Sequence, residues 1–247
     1  MTKIVPSPSR SETSITSAAK VVRMEIGRDS AKALADLVFV IDTTGSMNDK
    51  IDGLIESCES FVDRLATKRI DWAVAVVGFG DLTVEGDKIV ATPFSSNAGR
   101  VKALLRGLPR YSGGGNEGES SLEALEAALG QRGFRPDAIK VVVLITDEPA
   151  LQRNLRPATM TGRLREAGAI AFVLSPNIKY FRSMAGDTGG YWWNVEKGGD
   201  FSRILDAFDK IASRVASTVA AVHRLTGGNV KEYLGLPPSS RESVSES

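Results

Sequence analysis

Leu37-Val38-Phe39-Val40-Ile41-Asp42-Thr43-Thr44-Gly45-Ser46-Met47 is the stretch that decides the fold. No polar residue interrupts it from Leu37 to Ile41, as in a strand covered on both faces within a parallel sheet between helices. Asp42 then stands at the carboxyl end of that strand. Beyond it Met47, Ile51, Leu54, Ile55, Cys58, Phe61, Val62 and Leu65 recur at spacings of three and four, with Asn48, Asp49, Lys50, Glu56 and Arg64 on the other faces. A helix follows the strand. Asp42-Thr43-Thr44-Gly45-Ser46 is therefore a strand-to-helix loop, where open α/β sheets bind ligands. Asp42, Thr44 and Ser46 place oxygen-bearing side chains at alternate positions. They suit a hard cation, Mg²⁺, Mn²⁺ or Ca²⁺, and would serve a softer metal poorly. The same residue types are ordinary turn and cap residues, so this loop alone does not establish a metal site.

Two further segments strengthen that reading. Ile139 to Thr146 is β-branched and apolar and delivers Asp147-Glu148-Pro149, the proline closing off the strand. If this strand lies beside the first in one parallel sheet, Asp42 and Asp147 emerge at the same edge. Like charges that close require a cation or a raised pKa. The third segment is Ser112-Gly113-Gly114-Gly115-Asn116-Glu117-Gly118-Glu119-Ser120-Ser121-Leu122-Glu123. Ser120 with Glu123 reads as a capping box, and Leu122, Leu125, Ala128 and Leu129 form the apolar stripe of the next helix. Glu119 then sits just before a helix start, on a glycine loop able to approach an ion closely.

Taken in order, these segments resemble the metal-ion-dependent adhesion site of the von Willebrand factor type A domain family, over roughly Leu34 to Val222. The resemblance implies a Rossmann-like α/β fold and a Mg²⁺-type ion held by Asp42, Thr44, Ser46 and Asp147. In adhesive relatives a threonine fills one further slot. Here Glu119 aligns with it, and Gly113 to Glu119 resembles a Gly-Gly-Gly-Asp-x-Pro-Glu variant, with Asn116 and Ser120 the alternatives for that position. An ionised Glu119 beside two aspartates leaves the loaded site anionic and less attractive to a partner's acidic side chain. Glu119 either completes the ion's sphere or stands behind a water. The family further implies a non-enzymatic protein-binding module, an adaptor or scaffold whose partner is another protein, with ATPase- or kinase-containing assemblies suggested by bacterial relatives.

The remaining chain fits one α/β domain. Ile70 to Asp81 reads as a long strand and Lys88 to Phe94 as its hairpin partner, the antiparallel edge of an otherwise parallel sheet. Helices are expected near Val101 to Leu108, Pro157 to Ala167 and Ile178 to Met184, and strands over Ala169 to Leu174 and Tyr191 to Val195. A last helix begins at Asp200 as cap and buries Phe201, Ile204, Leu205, Phe208, Ile211, Ala212 and Val215. This alternation places helices on both faces. Asp81 reads first as a turn residue ahead of Leu82-Thr83; its alternative role is to orient a water at the ion. Tyr191, Trp192 and Trp193 read as packed on opposite faces of a strand. His223, the sole histidine, is expected at the surface beyond the last helix, which argues against histidine acid–base chemistry or a zinc site.

A hydrophobic fraction of 42% supports a packed core, and 31 basic against 30 acidic residues give no electrostatic case for nucleic acid or an anionic membrane. Cys58, the lone cysteine, falls on an apolar helix face and excludes an intrachain disulfide. Met1 to Arg10 has no apolar signal core and no stretch spans a bilayer, so cytoplasmic residence is expected. The domain is placed at 34–222, after an N-terminal extension, 1–33, that is largely flexible with a strand at 21–26. The tail, 223–247, is expected mostly without order, with Val230 to Leu236 docking weakly. A Mg²⁺-dependent phosphoester hydrolase is the competing function. Against it, the first motif lacks a second aspartate two residues on, and no lysine or arginine stands in the metal loops as an evident phosphate clamp. An ion that merely fastens three loops is a further alternative.

Overall fold

The computed structural model describes residues 32–48, 50–67, 70–115, 118–195, 202–237 and 240–241. The expected strand at 21–26 and the cap at Asp200 lie outside these residues, as do Asn116 and the side chains of Phe201, Ile204, Leu205, Phe208 and Ile211.

β1 (Ala33–Asp42) is followed by a 3-10 turn (Gly45–Met47), α1 (Ile51–Thr67), β2 (Ile70–Phe79), β3 (Ile89–Ala91), α2 (Ala98–Arg106) and α3 (Ser121–Leu129). Then come β4 (Ile139–Ile145), α4 (Pro157–Glu166), β5 (Ala169–Ser175), α5 (Lys179–Asp187), β6 (Trp192–Asn194), α6 (Ser202–Thr226) and α7 (Val230–Gly235). The sheet runs β3-β2-β1-β4-β5-β6, and β3 alone is antiparallel to its neighbour. The expected α/β architecture, one antiparallel edge on a parallel sheet, is what the chain adopts.

β1 runs through the middle and is covered on both sides, which is why its sequence shows no polar alternation. Leu37, Phe39 and Ile41 pack into one core with Ile51, Leu54, Phe61 and Leu65 of α1 and Val215 and Val219 of α6. Val38 and Val40 face the other core, with Leu122 and Leu125 of α3, Met160 of α4 and Phe181 of α5. Phe39 and Phe61 meet edge to face at 5.3 Å between centroids, a geometry worth roughly 0.5–1.5 kcal/mol beyond the area it buries. Cys58 is fully buried and its thiol pushed up by desolvation, as an inert core residue requires.

Two expectations are corrected at the edges. The helix foreseen from Met47 starts at Ile51, because Gly45 to Met47 first make a tighter turn in which Met47 N donates to Thr44 O. Order also continues past residue 222: α6 runs through His223, which is half-buried, to Thr226, and α7 packs beneath it with Val230 and Tyr233 buried. The two strand tryptophans are half-buried on opposite faces. Trp193 stacks on Phe172, and Trp192 Nε1 donates to Ser175 Oγ at 3.0 Å.

Candidate metal centre

Because β1 and β4 are parallel neighbours with Ile41 opposite Ile145, the residues that follow leave the sheet at one rim. Asp42 is fully buried there. Its Oδ1 accepts from Thr44 N at 3.0 Å and Thr44 Oγ1 at 2.6 Å, and its Oδ2 accepts from Thr146 Oγ1 at 2.8 Å. Ser46 Oγ lies 3.3 Å from Thr44 Oγ1 and donates to Asp147 Oδ1 at 2.7 Å. Four of the five foreseen ligands thus form a continuous chain of oxygen contacts.

Glu119 reaches the same rim through its backbone. Glu119 N donates to Pro149 O at 2.9 Å and Leu151 N donates to Glu119 O at 2.8 Å, a one-residue parallel bridge to Ala150 that ties the glycine loop to the segment after β4. Gly113, at φ +71°, makes the fit: a Cβ there would lie 3.0 Å from both Glu119 Oε1 and Thr44 Cβ. Glu119 is 5% exposed, and its Oε2 is buried without a hydrogen-bond partner. An orphaned buried acceptor costs about 1–3 kcal/mol, more for a charged group. Burial first, then the charges of Asp42, Asp81, Glu148 and Asp87, push the Glu119 carboxyl up to about 8. Burial likewise raises Asp42 to about 6, against the lowering effect of its bonds from Thr44 and Thr146.

Asp36 is the contrast. It too is fully buried, near the amino end of β1, but its carboxylate accepts from Arg135 N at 2.6 Å and Arg135 Nε at 2.7 Å. A carboxylate retained for the fold is satisfied by the fold. Glu119 is left for something else.

Asp81 takes the expected turn position, its Oδ1 accepting from Thr83 N at 2.8 Å, while its Oδ2 is buried without a partner. Ser120 is corrected. It precedes α3 but makes no side-chain cap, since its Oγ accepts instead from Leu82 N at 2.9 Å and fastens the loop after β2 to the glycine segment. Asn116, outside the described residues, is not placed.

Three residues were missed by sequence reasoning. Thr146 orients Asp42. Asp87, between the two hairpin strands, is buried and organises the loops: its Oδ2 accepts from Asp81 N at 3.0 Å and Gly113 N at 3.1 Å. Lys50, assigned to an outer helix face, is 4% exposed, and its Nζ donates to Asp147 Oδ2 at 2.9 Å. A lysine does stand in the metal loops. The available signal was its position four residues after Ser46 on a helix N-terminus, where a cation is disfavoured unless an anion holds it.

The donor set is all oxygen, includes two desolvated acids and ends in an unpartnered carboxylate oxygen, which fits a hard divalent ion. Among the described residues, no three of Asp, Glu, His and Cys form a metal-binding group by themselves.

The sequence profile of the von Willebrand factor type A domain matches residues 36–206, and the chain belongs to that family. No match was found among curated proteins. Among solved structures, proximal thread matrix protein 1 from the mussel byssus, in a form with a zinc-occupied MIDAS motif, is 17% identical with a TM-score of 0.59; the match covers 75% of this chain and 46% of that one. The pilus adhesin SpaC from Lactobacillus rhamnosus GG is 14% identical with a TM-score of 0.57, over 74% of this chain and 30% of that one. At such identities the likeness is one of fold, and the chain spans less than half the length of either protein.

Proposed function

We propose that the domain is a non-enzymatic, metal-dependent protein-binding module, with a Mg²⁺-type ion held by Asp42, Thr44, Ser46, Asp147 and Glu119, acting as an adaptor or scaffold in a multiprotein assembly. One observation carries this: the buried, unpartnered Glu119 Oε2 at the rim where the oxygens of the other four meet. When bound, the ion supplies a position for an oxygen ligand from the partner. The chain's own residues do the rest. Thr146 holds Asp42 in orientation, the Pro149 and Leu151 backbone holds Glu119, and Asp87 holds the glycine loop. Beside the rim, Leu82 is 47% exposed and shares a depression with Ser120, Glu123, Leu151 and Arg153, offering an incoming protein an apolar contact and charges of both signs.

Calorimetric titration with Mg²⁺, Mn²⁺, Ca²⁺ and Zn²⁺ tests the site. Asp42→Ala should weaken binding of the preferred ion by more than about tenfold, and an unchanged isotherm removes Asp42 from the set. Co-purification with and without chelator, read by mass spectrometry, then tests whether partner capture depends on the ion.

Lys50 is the one feature favouring a phosphoester hydrolase. Its ammonium, however, is buried and engaged by Asp147 Oδ2 and Ser46 O, and so is not presented to a phosphate. Mg²⁺-dependent turnover of a generic phosphoester that disappears in Asp42→Ala would reverse the choice.

A further inference from the structure

Lys50 is a cation installed where a cation is to bind. The backbone carbonyl of Lys50 accepts from Leu54 N at 2.9 Å, so the residue opens α1. The amides at a helix N-terminus repel an ammonium. What holds it is Asp147: Nζ lies 2.9 Å from Oδ2, with side-chain exposures of 4% and 0%, and a further bond of 3.3 Å runs to Ser46 O. The other oxygen of the same carboxylate takes Ser46 Oγ at 2.7 Å. Asp147 is therefore shared between a lysine and the hydroxyl of a proposed ligand.

Among the proposed ligands the charges are Asp42, Asp147 and Glu119, with Asp81, Asp87 and Glu148 adding negative charge around Glu119, and Lys50 is the cation paired among them. The three carboxylates of the proposed ligands less one ammonium leave two negative charges for a divalent ion to match, while Asp81, Asp87 and Glu148 keep the surroundings anionic. Without Lys50, the loaded site would carry the negative charge that Glu119 adds, and a partner's acidic oxygen would meet repulsion. Lys50 and Glu119 are thus opposite charges whose effects on a cation bound between them have opposite sign.

We propose that Lys50 is a tethered counter-cation that competes with the divalent ion for Asp147 and offsets Glu119, so setting the ion concentration at which the site fills and making the filled site less anionic toward an acidic partner. This rests on the metal-centre reading above. A buried ion pair is costly to leave half-made, so removing Lys50 destabilises the ion-free protein while favouring the ion.

Calorimetry with Mn²⁺ on the full chain, with folding checked by circular dichroism, tests it. Lys50→Met should bind tighter by roughly tenfold or more, Glu119→Gln should bind weaker by a similar factor, and the double variant should return to near the wild-type value. Lys50→Arg, which keeps the charge, should stay within about threefold of wild type. In chelator, Lys50→Met should melt below wild type and recover that difference when Mn²⁺ is added. Unchanged or weaker binding in Lys50→Met, with Asp42→Ala still abolishing it, overturns the role of Lys50 and leaves the metal centre standing. No binding by the wild type overturns both. If Lys50→Met does not fold, Lys50→Gln takes its place. If neither folds, reductive methylation of the wild type decides: labelling of Lys50 that rises on adding Mn²⁺ supports competition, and labelling that does not change overturns it.

Discussion

At the residue scale, the site is defined by what its carboxylates lack. Asp36 and Glu119 are both buried acids, yet Arg135 satisfies the first and no partner reaches Oε2 of the second. That difference has a pH signature. In the ion-free protein Glu119 keeps its proton to about 8 instead of the ordinary 4.5, and Asp42 to about 6 instead of 3.8. A raised folded pKa means the stability contribution is fully present below the unfolded value and is lost as pH climbs through the folded one. The melting temperature in chelator should therefore fall as pH rises across this window, and saturating Mg²⁺ should abolish the fall by replacing the protons. Scanning calorimetry in both conditions checks this; a flat chelated profile would remove the claim that these acids are desolvated. Asp42 and Asp147 were legible because each ends an apolar strand. Lys50 was not: its neighbours Met47 and Ile51 mark the buried side of the helix, but only the position of Asp147 turns an apparent surface lysine inward.

Among the elements, periodicity located the strands and helices well, and it failed where backbone bonds compete. Ser120 reads as a helix cap, but Leu82 N takes its hydroxyl. That bond spans 38 residues of sequence and cannot be foreseen from local spacing. The chain end shows the opposite error. The tail is expected mostly without order, yet Gly227 and Gly228, at φ +61° and +99°, form the turn that folds α7 back beneath α6. Asn229 caps α7 by accepting from Glu232 N at 3.2 Å, and Tyr233 is 5% exposed. Tyr233→Ala should therefore cost about 3 kcal/mol in urea unfolding, whereas Leu82→Ala, exposed beside the rim, should stay within about 0.5 kcal/mol. Equal small losses would mean that α7 is not part of the cooperative core.

On the scale of the whole molecule, one rim gathers segments that are far apart in sequence: the loop after β1, the glycine segment before α3 and the turn after β4. A shared ion should therefore slow amide hydrogen exchange in all three together, around residues 43–48, 112–119 and 146–151. Protection confined to the first loop would mean an ion bound to that loop alone, with Glu119 and Asp147 outside it. The sequence by itself determined the alternation of strands and helices, the parallel sheet with its antiparallel edge, and the acids that end β1 and β4, because hydrophobic period and strand-end position are local properties of the chain. Only the tertiary structure decided that Glu119 Oε2 has no partner, that Ser120 serves Leu82 and that Lys50 pairs with Asp147. Those outcomes depend on which residues far apart in sequence the sheet order brings within hydrogen-bond distance, and spacing along a chain carries no information about that.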